Sequence, residues 1–122
     1  MKYTGTIVDI LVKDGILYGV YKKEFIGIEE AKLATEERLK FINKEVYPWH
    51  IDYARVKHTT REARIYFAEG AATEHIKAVA FIINSPVGAM MGNFFSFVNK
   101  PPYPFKIFVQ ARKAEKWLQR YK

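Results

Sequence analysis

AVAFIINSPVGAMMGNFFSFVNK, residues 78–100, is the stretch around which the fold is read. It begins with an unbroken apolar run, Ala78-Val79-Ala80-Phe81-Ile82-Ile83, β-branched at Val79, Ile82 and Ile83. A half-exposed strand would alternate apolar and polar residues. An unbroken run marks a strand covered on both faces, as in a parallel or mixed α/β sheet. Asn84 and Ser85 end the run. Ser85 suits a helix N-cap, since its hydroxyl can accept from the free N–H groups of a first turn, and Pro86 suits the first helical position. A very apolar helix then follows. Val87, Met91, Phe94, Phe95 and Val98 share one face, with Met90 and Phe97 along its edge. Gly88, Ala89, Gly92, Asn93 and Ser96 fill the opposite face, and two glycines one turn apart permit close approach of another element. Two readings stay open: a helix laid by its apolar face on the sheet, or one whose Met90 and Phe97 overhang the sheet and line a pocket or subunit contact. The helix is shorter than the roughly 20 residues that a bilayer core requires.

At 122 residues the chain is expected to form one domain with a real core. An apolar fraction of 49% excludes a disordered chain. The absence of cysteine excludes disulfides, thiolate metal sites and cysteine nucleophiles. The first residues, Met1-Lys2-Tyr3-Thr4-Gly5, with Asp9, Lys13 and Asp14 beyond, do not read as a signal peptide, so a cytoplasmic location is expected. A net charge of +7 invites a nucleic-acid reading. The basic residues are scattered, however, and the densest group (Arg112, Lys113, Lys116, Arg120, Lys122) fits the solvated face of a last helix. Nucleic-acid binding is therefore not expected.

Working outward, Thr6–Val12 and Ile16–Lys22 read as strands joined by Lys13-Asp14-Gly15, a hairpin signal. Gly19 marks a bulge or a close approach in the second strand. Ile28–Asn43 is a helix with Ile28, Ala31, Thr35, Leu39 and Ile42 on one stripe, read as scaffold. Pro48 suits the start of a strand running to Arg55, with His50, Asp52 and Ala54 on one face and Trp49, Ile51 and Tyr53 on the other. Thr59 and Glu62 have capping-box spacing before a helix from Thr60 to about Glu69. Ala71–Ile76 reads as a further helical turn. Three prolines between Pro101 and Pro104 give an extended connection to a strand at Phe105–Val109, and Ala111–Tyr121 is a closing helix. Strands alternating with helices imply right-handed crossovers. The expected fold is α/β: a mixed open sheet of about five strands, an antiparallel hairpin plus parallel strands, flanked by helices, with the Phe81 strand at or near its centre.

No complete catalytic constellation is legible. His50 and Asp52 share a strand face, but two residues do not make a metal site. There is no Gly-x-Ser-x-Gly elbow and no phosphate loop, so a hydrolase or transferase built on Ser85 has no supporting motif. No cofactor or metal is expected. The strand-to-helix turns at 56–61 and 84–87 stand out, because ligands collect where helix N-termini meet the carboxyl ends of strands. They bring Thr59 and Thr60, with Lys57, Arg61 and Arg64 nearby, and Ser85. These are ordinary caps or a place for an anion or a phosphorylated hydroxyl.

Tyr47-Pro48 leading to Asp52, Arg61-Glu62-Ala63-Arg64 with Tyr66-Phe67, and 78–104 with Ser-Pro, Gly-Asn-Phe-Phe and Asn-Lys-Pro-Pro carry a resemblance. So do Lys106-Ile107-Phe108 and Ala114-Glu115-Lys116-Trp117-Leu118. Over nearly its whole length the chain resembles small bacterial proteins of the STAS/SEC14-type class, whose fold is like that of SpoIIAA-type anti-sigma factor antagonists. The resemblance implies a binding or regulatory module, not an enzyme. In the antagonists an Asp-Ser-Ser-Gly type turn carries the phosphorylated serine. The matching turn here, Lys57-His58-Thr59-Thr60-Arg61, keeps the hydroxyl and lacks the Asp and the Gly, while Asp52 matches the acidic residue of the preceding strand. A protein partner at the 57–61 turn is expected from this, with Thr59 or Thr60 as the regulated position. The SEC14 side of the class implies an alternative, a groove by Met90, Phe94 and Phe97 for a lipid or other small apolar ligand. A homodimer stays open.

Overall fold

The structure, a computed structural model, describes residues 2–90, 92 and 101–122. Its strands are β1 (Lys2–Thr4), β2 (Val8–Lys13), β3 (Ile16–Tyr21), β4 (Phe25–Ile26), β5 (Tyr47–Asp52), β6 (His58–Thr59), β7 (Ile76–Ile82) and β8 (Phe105–Phe108). Its helices are α1 (Ile28–Ile42), α2 (Arg61–Phe67), α3 (described at 86–90 and 92) and α4 (Ala111–Leu118). Short 3-10 turns follow at Gly70–Thr73 and Gln119–Tyr121.

Among the described residues six strands form one sheet in the order β1-β2-β3-β5-β7-β8. The first three pair antiparallel, and β3, β5, β7 and β8 run parallel. The architecture is the expected mixed α/β sheet flanked by helices. It has one strand more than the hairpin pattern gives, because exposed β1 pairs with β2 (Tyr3 opposite Ile10). The Phe81 strand is interior, between β5 and the edge strand β8. A separate two-stranded parallel sheet joins β4 to β6.

Each face of the sheet has its own core. On one, Ile16, Ala78, Ala80 and Ile82 pack with Ala114 and Leu118 of α4. On the other, Ile10, Leu17, Trp49, Ile51 and Val79 pack beneath α1 and α2 through Ala31, Ala34 and Ala63. Alternation along β7 thus feeds Ala78, Ala80 and Ile82 to α4 and Val79 and Phe81 to the other side. This is why the run at 78–83 has no polar position. Gly19 is the close approach: a β-carbon there would collide with the indole of Trp49 on the neighbouring strand.

Two local readings need correction. The helix at 61 is capped by Thr60, not Thr59: its Oγ1 accepts from the Ala63 N–H at 3.2 Å, while Thr59 belongs to β6. In the described part of α3 it is the small residues that face inward. Ala89 is buried, and a β-carbon on Gly92 would meet the Ile107 side chain of β8. Val87 and Met90, expected on the packed face and its edge, are 63% and 68% exposed. Small residues let the α3 backbone come closer to β8 than the large face would allow. Ser85 caps α3 as its position requires, accepting from the Gly88 N–H at 3.0 Å.

Candidate functional site

The sheet face beneath α1 and α2 is not filled. A cavity of about 370 Å³ lies over β3, β5, β7 and β8, within the size range of small-molecule sites. Its floor is aromatic because β3, the residue just past β5, β7 and β8 each send a ring upward. Tyr21 meets Tyr53 with ring centres 4.9 Å apart, Tyr53 meets Phe81 at 4.6 Å, and Phe81 meets Phe105 at 6.1 Å. Trp49, Phe67 and Tyr103 add further ring surface. Helix α1 contributes Ala34, Thr35 and Arg38, α2 contributes Arg64, and Ala68 and Ala72 follow it. Arg64 and Ala68 are exposed, so they belong to the rim.

Arg38 is the unusual member. It is only 4% exposed. One terminal nitrogen donates to the Glu74 carbonyl at 3.0 Å and the other to the Ala72 carbonyl at 3.3 Å. Among the described residues no carboxylate forms an ion pair with it. Burial pulls its pKa below the ordinary arginine value, and the surrounding tyrosines and the Glu74 carboxylate partly oppose this. Burial also raises the pKa of Tyr21, Tyr53 and Tyr103, so these phenols stay neutral near pH 7. The described lining therefore carries two arginines and neutral hydroxyls, with no aspartate, glutamate, histidine or serine. Reading α1 as scaffold missed Arg38. The signal was present: Ala31, Thr35, Arg38 and Ile42 are spaced four, three and four, so the arginine stands on the buried stripe.

Of the residues singled out in the sequence, Thr59 and Arg64 reach the cavity. The Thr59 hydroxyl lies 2.6 Å from that of Tyr53, and an Arg64 terminal nitrogen donates to the Thr59 carbonyl at 2.8 Å. The turn before them is tied to β4. Lys57 N–H and His58 N–H donate to the Glu24 carbonyl at 2.8 and 3.1 Å, and Thr60 N–H to that of Ile26 at 3.0 Å. Lys57 and Arg61 are exposed, with Lys57 Nζ 3.5 Å from Glu24. Asp52 accepts from the Ala54 N–H at 3.1 Å and closes the turn after β5. Ser85 lies at the end of the adjacent parallel strand, exposed, its hydroxyl occupied with the α3 cap. Met90 is exposed and does not line the cavity, while Phe94 and Phe97 lie outside the described residues.

His50 and Asp52 share a strand face but separate in role. His50 is 5% exposed, lies on the α4 side with its ring 4.8 Å from that of Tyr18, and bonds the Ala111 carbonyl at 3.4 Å. Burial lowers its pKa, against the opposing pull of the Ala111 carbonyl, Glu115 and Asp52. Among the described residues no helix is long and apolar enough to cross a membrane.

No curated protein matches the chain. Among solved structures it is similar to an uncharacterised protein of the DUF3478 family with a SpoIIAA-like fold, from Shewanella loihica PV-4. The TM-score is 0.68 and the identity 16%, over 97% of this chain and 95% of that one. A protein of unknown function from Arthrobacter sp. FB24 aligns at 27% identity and a TM-score of 0.36, over 90% of this chain and 97% of that one. The first likeness agrees with the strand order and layering above: the fold is SpoIIAA-like. A family model matches residues 10–122, and the chain accordingly belongs to the family described as Domain of unknown function (DUF7793).

Proposed function

We propose that this protein is a non-catalytic binding module with a regulatory role. It holds a small, largely apolar ligand in the cavity under α1 and α2 and offers the adjoining 57–61 turn to a protein partner. The observation that carries the reading is the aromatic-walled cavity of about 370 Å³, with Thr59 and Arg64 in its wall. Seven aromatic residues and a few convergent polar groups are the usual make-up of a ligand pocket. Binding is favoured over catalysis because the described lining offers no carboxylate, imidazole or serine to move a proton or attack a bond. The turn is favoured as the output because it is bonded both to the cavity wall through Tyr53 and to β4 through its backbone.

Native mass spectrometry of the protein gently purified from its own cells tests this. The expected result is a population heavier than the chain by one small organic molecule, lost on denaturation. A bare chain that shows no binding when titrated with small apolar compounds would overturn the reading. For the output, hydrogen exchange at residues 57–64 is expected to slow when the cavity is filled with 1-decanol. Unchanged exchange there would leave the cavity without a link to the turn.

A further inference from the structure

We propose that the cavity selects a monoanionic organic acid, its carboxylate bound by Arg38 and its apolar body lying on the Tyr21–Tyr53–Phe81–Phe105 row. This rests on the reading of the cavity as a ligand site and adds the chemical class. A buried guanidinium is costly unless it is hydrogen-bonded and its charge is met. Two backbone carbonyls meet the first need in part, and the second is met only by the field of Glu74, which forms no ion pair with the guanidinium.

Guanidinium carries five N–H donors in a planar fork matched to a carboxylate. The two carbonyl bonds at Ala72 and Glu74 use one donor on each terminal nitrogen, leaving three without a partner among the described residues. Both arise in one segment between α2 and β7, so the guanidinium is oriented before any ligand arrives. Arg64 at the rim has the same sign, and no acid of the described lining opposes either. A neutral ligand would leave this field unused, and a cation would be repelled by it. A dianion is a worse match, because one buried cation leaves its second charge unpaired in a poorly hydrated site.

The test compares decanoate with 1-decanol, the same chain with and without the charge, by calorimetry at neutral pH. A guanidinium–carboxylate pair in place of a guanidinium–hydroxyl bond is expected to make decanoate about tenfold or more tighter. In parallel, the Arg38 Nε–H signal in a ¹⁵N spectrum of the wild-type protein is expected to move further with decanoate than with decanol. In Arg38→Met the ratio of decanoate to decanol affinity should fall toward one, whatever the change in the absolute affinities. Because Arg38 also holds the 72–74 segment, Arg38→Lys serves as a second variant that keeps a charge but not the fork, and should retain only part of the preference. Decanol and decanoate binding equally to the wild type, or an acid preference that survives Arg38→Met, would overturn the assignment while leaving the cavity a ligand site. Binding of neither would overturn both.

Discussion

The hydroxyls of Tyr53 and Thr59 lie 2.6 Å apart, and that bond joins the aromatic floor of the cavity to the turn that enters α2. Thr59 is paired with Ile26 of β4 on the backbone side, so its side chain is directed by two elements at once. Removing either hydroxyl strands the other in a partly buried wall. Thr59→Val and Tyr53→Phe are each expected to cost about 1 kcal/mol, and the double variant little more than either alone. Urea unfolding of the four proteins in a double-mutant cycle checks this. Additive losses would mean that the two hydroxyls act independently.

The neighbouring threonine has a different task. Thr60 caps α2, so Thr60→Ala is expected to lower stability by about 1 kcal/mol, whereas Thr60→Asp should restore the cap. Equal melting temperatures for Thr60→Ala and the wild type would contradict the cap assignment.

Gly19 sets the position of a cavity wall. Its hydrogen lies where a β-carbon would strike the Trp49 ring. Gly19→Val must push the indole toward the cavity or open the β3–β5 pairing, and overpacking of this kind costs about 1–3 kcal/mol. Calorimetric melting measures the loss, and decanol titration of the same variant should show weakened binding. Unchanged stability and unchanged binding would mean that Trp49 can swing away without consequence.

On the opposite face, His50 gives the fold a pH dependence. Its folded-state pKa lies below the usual 6.5 because burial disfavours the charged ring. As pH falls through 6.5 the unfolded chain takes up a proton that the folded chain resists, so stability declines between that value and the lower folded-state pKa. Below the folded-state pKa the contribution is flat. Wild-type protein should lose more stability between pH 7.5 and 5.5 than His50→Gln, measured by thermal unfolding at both values. Parallel losses in the two proteins would show that His50 is not the titrating group.

The layered sheet was legible because burial on two faces leaves a strong mark. The run at 78–83 has no polar residue to spare, and Asp14-Gly15 turns the hairpin. What escaped depends on contacts too local or too distant for periodicity. β1 is three exposed residues made a strand by β2 alone, and β4 and β6 are two-residue strands that meet from far apart in sequence. The choice between Thr59 and Thr60 as cap turns on one residue of register. In α3 hydrophobicity pointed the large side chains inward, yet the described part of the helix presents Ala89 and Gly92, since close approach to Ile107 outweighs the area of Val87 and Met90. Of the candidate site, Thr59 and Arg64 were read from the turn, while Arg38 was hidden by the habit of treating a charged residue on a helix as solvated.

The two tryptophans lie on opposite faces of the sheet, Trp49 in the cavity wall and Trp117 on α4, against Phe108 of β8. They give the ligand-site reading its most direct measurement, a ¹H–¹⁵N titration of the wild-type protein with 1-decanol that follows the two indole N–H signals. The expected result is a saturable shift of Trp49, accompanied by Val79 and Phe105, with Trp117 unmoved. A titration in which neither indole responds, or in which Trp117 moves and Trp49 does not, would contradict the cavity as a binding site.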